Sequence, residues 1–187
     1  MIIGITGHAR HGKDSTADII VSNFGYRKHA LADVMKEACR VIFGWTDEYL
    51  YGDKKDSEDK TYGISPRHAL QSLGTEWGQY ELSKYDSFSK VTGRKLWVNS
   101  LLNRVRGDTV ISDVRFQHEA EAIRERGGFI IRVNRDYPVD LSHESEQAVN
   151  KIRPDFFVDN FGCLNDLEIT VKAIVFDALR VHVPPQK

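Results

Sequence analysis

A chain of 187 residues has room for one domain, or for a core with a small lid. Its 26 basic and 27 acidic residues leave a net charge of −1, so it carries no overall positive field for gripping duplex nucleic acid. Cys39 and Cys163 lie far apart and form no CxxC pair, which argues against a disulfide framework or structural zinc. No apolar run approaches the ~18 residues of a membrane span, and no basic stretch with a long apolar segment opens the chain. These features together predict a soluble cytoplasmic protein without nucleic-acid or membrane partners.

The chain opens on a short apolar run, Ile2 to Thr6, which suits a strand buried on both faces of a parallel sheet. Ala17, Ile20, Val21 and Phe24 then recur at helical spacing, and Gly25 follows as a stop signal. A second strand is predicted over 27–31. Next comes a helix starting near Asp33, with Met35, Ala38, Cys39 and Ile42 as its apolar stripe. Residues 47–60 are mostly charged and read as a solvated loop, a reading compatible with a mobile flap over a substrate. Ser65-Pro66 opens a third helix with Leu70, Leu73 and Trp77 as the buried stripe. Arg67, Gln71 and Thr75 fall on another face of it, a polar row that could meet a ligand. After a polar stretch, 83–95, a further helix carries Leu96, Trp97, Leu101, Leu102 and Val105.

Residues 108–113 read as a buried strand that ends in an acid, 117–126 as a helix stopped by Gly127-Gly128, and 129–133 as a strand. The polar segment 134–146 contains Pro138 and reads as a loop or lid. Residues 156–158 form a last short strand. Leu164, Leu167, Val171, Ile174, Val175 and Ala178 mark a long amphipathic C-terminal helix. Short strands alternating with helices predict an α/β fold: a mostly parallel central sheet with helices on both faces.

The strongest chemical signal is Gly7-His8-Ala9-Arg10-His11-Gly12-Lys13-Asp14-Ser15. It matches GxxxxGK, follows a predicted strand and precedes a predicted helix, the setting a phosphate-binding loop needs. Its glycines let successive N–H groups turn inward, and the helix N-terminus adds partial positive charge. Lys13 would reach the β- and γ-phosphates. Asp14 stands where Ser or Thr usually supplies a hydroxyl to Mg²⁺, with Ser15 and Thr16 next in line. His8 and His11 are expected to line the nucleotide site and not to bind a metal, because no further ligands accompany them.

A second signal is Asp113-Val114-Arg115-Phe116-Gln117-His118-Glu119. Asp113 ends a strand, where open α/β sheets place their ligands, and Arg115 would meet the phosphoryl group in transfer. Arg132 and Arg135, before the polar segment ending in His143-Glu144-Ser145-Glu146, suit a phosphate grip or an ordinary surface ion pair. The loop Asp159-Asn160-Phe161-Gly162 could hold a purine through its backbone, or be a simple turn.

Taken together, the chain resembles the deoxynucleoside monophosphate kinases encoded by bacteriophages, within the wider nucleoside monophosphate kinase group. The matching pieces are GxxxxGKDS at 7–15, residues 30–36, Arg67 through Thr75, Asp113 through Glu119, the Gly-Gly-strand-Arg run, 143–146 and 155–162; they span nearly the whole chain. The resemblance implies a single P-loop kinase domain with an acceptor-binding region at about 33–106 and a short lid at about 134–147. It implies transfer of the γ-phosphoryl of ATP to a deoxynucleoside 5′-monophosphate with Mg²⁺, in a host cytoplasm if the chain is phage-encoded. Residue by residue it implies that 7–16, with Asn160 and Gly162, bind ATP, and that Asp14, Ser15 and Asp113 hold Mg²⁺. Lys13, Asp113, Arg115, Glu119 and Arg132 would form the catalytic centre. Asp33, Lys36, Arg67, Gln71, Thr75 and Arg115 would hold the monophosphate. Helix faces leave room for a homodimer. Two other readings share part of the pattern: a kinase of another phosphorylated acceptor such as dephospho-coenzyme A, and a small nucleotide-dependent switch. The second lacks an Asn-Lys-x-Asp motif.

Overall fold

The computed structural model describes residues 1–142 and 144–182. They form two compact units, one made of Met1–Ala30 with the chain from Val105 onward, the other of Leu31–Arg104.

The first unit is built on five parallel strands: β1 (Ile2–Thr6), β2 (Arg27–His29), β3 (Thr109–Ile111), β4 (Phe129–Asn134) and β5 (Phe156–Asp159), in the order β2-β3-β1-β4-β5. β1 is central and buried on both faces, which is why its sequence is a continuous apolar run. Ile3 and Ile5 pack with Ala17 and Ile20 of α1 (Lys13–Phe24) and with Leu167, Val171, Val175 and Ala178 of α9 (Leu164–His182). Each fully buried Ile or Val of this kind stabilises the fold by about 1.5–3 kcal/mol. Gly25 caps α1 in the left-handed conformation, with its amide donating to the Val21 carbonyl. α7 (Gln117–Arg124) precedes β4. The segment after β4 is not wholly a loop: α8 (Glu144–Val149) begins inside the stretch predicted as a lid, while His143 of that stretch lies outside the described residues. A six-residue helix has too little apolar periodicity to be seen in the sequence. Among the described residues no helix is long and apolar enough to cross a membrane.

The second unit is a set of short helices: α2 (Leu31–Phe43), α3 (Asp47–Leu50), α4 (Pro66–Gln71), α5 (Asp86–Val91) and α6 (Leu96–Leu102). α2 starts before Asp33; Cys39 is buried as predicted, Ile42 of the same stripe is exposed, and Leu31 is buried as well. The charged stretch 47–60 is more ordered than a solvated loop. It holds α3 and a 3-10 turn (Asp53–Asp56), and Asp59 folds it back by accepting from the Trp45 indole at 2.9 Å and from the amides of Thr61 and Tyr62. Trp45, stacked on Phe43 with ring centroids 4.2 Å apart, forms a small core with Cys39, Leu50 and Ala69.

α4 starts as predicted, with Pro66 at its first position and the Ser65 hydroxyl accepting from the His68 amide. It then widens into a π-helix over Ser72–Glu81. Gly74 and Gly78 explain the widening. The Trp97 ring lies against the backbone there, and its Nε1 donates to the Gly74 carbonyl at 2.8 Å. A Cβ on Gly78 would stand 2.4 Å from that nitrogen. Two expectations change as a result. Trp77, predicted to be buried, is 45% exposed. The offset of Thr75 from Gln71 also no longer follows an α-helical period.

Candidate active site

The Gly7–Gly12 loop leaves the C-terminal end of central β1 and feeds α1. Gly12 has φ 99°, a left-handed value that favours glycine, and a Cβ there would meet the Asn160 amide nitrogen at 2.4 Å. Arg10 takes φ 65° without being glycine, which stores local strain of the sort found at ligand sites. Among the described residues no side chain caps the N-terminus of α1, the kind of helix end whose first amides can meet an anion. The Lys13 ammonium folds back over the loop and donates to the His8 carbonyl at 2.7 Å. Burial, reinforced by the nearby Arg115 guanidinium, pushes Lys13 down to about 8; Glu146, Asp14 and Asp113 work against that drop.

The turn after β3 carries Asp113 and Arg115, and Arg115 reaches across to α8. Its Nη1 donates to Ser145 Oγ at 3.1 Å and to Glu146 Oε1 at 3.1 Å. Glu146 Oε2 accepts from the Ala9 amide at 3.1 Å and lies 3.2 Å from His8 Nδ1. His8 Nε2 is 3.0 Å from Asn150 Oδ1. Burial disfavours the charged form of Glu146, but the Ala9 amide, Arg115, His8 and Lys13 outweigh it and hold the carboxyl below its ordinary range. Glu146 is thus the hub of the site, and the residue the sequence reading did not single out. The signal was present in the polar run ending at Glu146, but its partners lie at least 31 residues away in sequence.

Beside the loop lies an open cavity of about 820 Å³ lined by His11, Asn134, Arg135, Asn160, Phe161 and Gly162. Asn160 is buried and donates through Nδ2 to the His11 carbonyl at 3.0 Å, tying the loop to the segment after β5. His11 is buried too. The carbonyls of Val133 and Tyr137 face its ring, yet neither ring nitrogen has a hydrogen-bond partner within normal distance among the described residues. Burial, with His8 adding to it, lowers the His11 pKa and favours the neutral ring.

A protein of Acanthamoeba polyphaga mimivirus named as a deoxynucleotide monophosphate kinase is 32% identical to this chain over 164 residues, 82% of this chain and 84% of the relative. The chain belongs to that family. A deoxynucleoside-5′-monophosphate kinase of Escherichia phage T5 is 22% identical, with 91% of this chain and 94% of the relative covered. No family model matches the chain. Among solved structures, shikimate kinase from Aquifex aeolicus aligns over 95% of both chains with a TM-score of 0.50 at 13% identity, a likeness of fold alone. The five-stranded parallel order and the loop after β1 are therefore those of an α/β P-loop kinase.

Three of the residues expected at the centre are engaged by other groups of the protein. Glu119 is buried behind the turn, where its Oε2 accepts the amides of Arg115 at 2.7 Å and Phe116 at 3.0 Å. Burial raises it to about 7 against the pull of those amides. Those two bonds tie Glu119 to the backbone of the Asp113–Arg115 turn. Arg132 donates through Nη2 to the carbonyls of Val149 at 2.5 Å and Ile152 at 2.7 Å, anchoring the end of α8 and the chain after it. Asp14, expected at the metal, is 80% exposed and pairs with Lys28 at 3.0 Å. Being one residue into α1, it projects outward toward β2.

Asp33, Lys36, Arg67, Gln71 and Thr75 all belong to the second unit. There Lys36 Nζ lies 3.8 Å from the centre of the Tyr51 ring, and the Arg67 guanidinium is bonded to the Asp56 carboxylate.

Proposed function

We propose that the chain transfers the γ-phosphoryl group of ATP to a deoxynucleoside 5′-monophosphate, giving ADP and the deoxynucleoside diphosphate. The observation that carries this reading is the convergence of Lys13, Arg115 and the uncapped α1 N-terminus around one loop, in a member of the deoxynucleotide monophosphate kinase family.

In this reading residues 7–16 cradle the ATP phosphates, with Lys13 neutralising the β- and γ-oxygens. The cavity beside His11 takes the base, between the exposed faces of Arg135 and Phe161 and the backbone of Asn160 and Gly162. Asn160 acts by holding the loop. Transfer needs no covalent intermediate, because two anionic reactants held in line and screened from water suffice. Arg115 offsets charge on the moving phosphoryl group, where one preorganised donor is typically worth about 10²–10³ in kcat. Asp113 orients the acceptor, and Glu119 keeps the Asp113–Arg115 turn in shape. Asp33, Lys36, Arg67, Gln71 and Thr75 bind the monophosphate.

A magnesium ion suits the donor set. Asp113 and Ser15 offer a carboxylate and a hydroxyl, and among the described residues no group of three or more His, Cys, Asp or Glu forms a cage, which fits an ion that keeps water and phosphate ligands. Those two residues would hold it, and it would supply neutralisation of the β- and γ-phosphate charge. With Asp14 turned to Lys28, the carboxylate part falls to Asp113.

A coupled ADP-release assay with ATP against the four deoxynucleoside monophosphates, the ribonucleotides and dephospho-coenzyme A tests the reading. Turnover is expected with at least one deoxynucleoside monophosphate. Turnover with dephospho-coenzyme A and with none of the four would overturn it.

A further inference from the structure

The Glu146 carboxylate occupies the mouth of the phosphate loop. Oε2 accepts from a loop amide (Ala9, 3.1 Å) and lies 3.2 Å from His8 Nδ1, and Oε1 accepts from Arg115 (3.1 Å); the side chain is only 12% exposed. Lys13 is close enough to be felt electrostatically. A backbone amide, a loop side chain and an arginine are the donors such a loop turns on phosphate oxygens, and a carboxylate satisfies them by the same charge-assisted bonds. A carboxylate and a triphosphate cannot share these donors, since like charges about 4 Å apart repel strongly in a partly buried site.

We propose that Glu146 is an internal stand-in for phosphate: it holds Ala9, His8 and Arg115 in the nucleotide-free protein, and the nucleotide must displace it to bind. The inference rests on the reading of the Gly7–Gly12 loop as the ATP site. The surroundings allow such an exchange. Arg132 fixes the carbonyls of Val149, the last residue of α8, and of Ile152 beyond it, while Glu146 lies in the first turn. Release therefore requires movement of one side chain, or of the turn bearing it, and not loss of the whole segment. It also hands Arg115 over from Glu146 to the incoming phosphates, so the arginine is preorganised before the substrate arrives.

Displacement has a measurable consequence. If the loop is open only a fraction of the time, the apparent Kd is the intrinsic one divided by that fraction, so an open fraction of about one-tenth weakens binding about tenfold. The experiment is calorimetric titration of the full chain with ADP and with inorganic tripolyphosphate, both in excess EDTA, alongside the melting temperature of the ligand-free protein. Glu146→Gln is expected to bind both about tenfold tighter than the wild type, while the ligand-free protein melts earlier because Arg115 and His8 lose their anionic partner. Glu146→Asp keeps the charge but is one methylene short of the Ala9 amide, so it should also bind tighter, by a smaller factor. If Glu146→Gln does not fold, the Asp variant decides by the same criterion. Equal or weaker binding by the folded variants, with the wild type binding normally, would overturn the proposal. Failure of the wild type to bind either ligand would overturn the loop reading itself, and this inference with it.

Discussion

The two units of the molecule use polar residues in opposite ways. In the Met1–Ala30 and Val105 unit an apolar sheet core supports charged groups held close together: Lys13, Arg115 and Glu146 share one small volume. In the Leu31–Arg104 unit the core is small and aromatic, and its ion pairs, such as Arg40 with Asp47 and Arg67 with Asp56, lie in solvent. Burial decides what a charge does. In the first unit it strengthens each interaction and shifts the groups' protonation; in the second, solvent screens pairs of similar length. The first unit therefore concentrates charge in a partly buried cluster, and in the second the exposed pairs Arg40–Asp47 and Arg67–Asp56 sit around a small aromatic core.

The largest expected effect breaks the first half of this contrast. Lys13→Met should lower kcat by about 10²–10³ or more, because it removes the ammonium that lies over the loop at the His8 carbonyl. The same change should raise thermal stability. The Lys13 pKa is depressed on folding, to about 8 from 10.5, so its charged form is disfavoured in the native state. That penalty is fully present below pH 8 and fades as pH rises toward the unfolded value, so the gain from Lys13→Met should be greatest at neutral pH. By the same sign, kcat/KM for ATP should fall as pH rises through about 8, since it reports the free enzyme. A variant with near-normal kcat, or one that is less stable at pH 7, would remove Lys13 from the reaction centre.

The contrast also explains what was legible in the sequence. β1, the loop and α1 were readable because strand, glycine spacing, lysine and helix follow one another within 24 residues. Asp113 and Arg115 were readable because a strand end is a place where ligands gather. Glu146 was not, since its role depends on Ala9, His8 and Arg115 meeting it in space. For Glu119 and Arg132 the sequence showed the charge but not the backbone groups each meets, because those contacts depend on the folded turn after β3 and on the chain after α8. In the second unit the π-helix was hidden because Gly74 and Gly78 look like weak points in a helix until Trp97 is known to fill the space beside them.

That packing gives the next test in order of size. Gly78→Ala places a Cβ 2.4 Å from Trp97 Nε1 and should destabilise the protein by about 1–3 kcal/mol, the usual range for overpacking a filled core. Urea denaturation at fixed pH would measure it. Below the transition the KM for ATP should not change, since the loop belongs to the other unit. A Gly78→Ala variant as stable as the wild type would mean that close packing of Trp97 does not set the π-helical winding.

The smallest of these effects concerns Arg67, where the solvent-exposed half of the contrast can be sharpened. The guanidinium is half exposed and paired with Asp56, which raises its already high pKa, so it stays charged at every working pH. An exposed pair of this kind contributes little to stability, so Arg67→Ala should leave the melting temperature nearly unchanged. If Arg67 grips the monophosphate, the same variant should raise the KM for that substrate about tenfold, the usual scale for one charge-assisted bond of about 1.4 kcal/mol. The KM for ATP should stay put. Asp56→Asn then separates binding from mere proximity. It removes the competing anion while keeping the side-chain shape, so the monophosphate should bind somewhat more tightly. Equal changes in both KM values for Arg67→Ala, or weaker monophosphate binding in Asp56→Asn, would instead make the Arg67–Asp56 pair a structural tie between the 3-10 turn and α4, and acceptor recognition would have to be sought at Lys36 and Thr75.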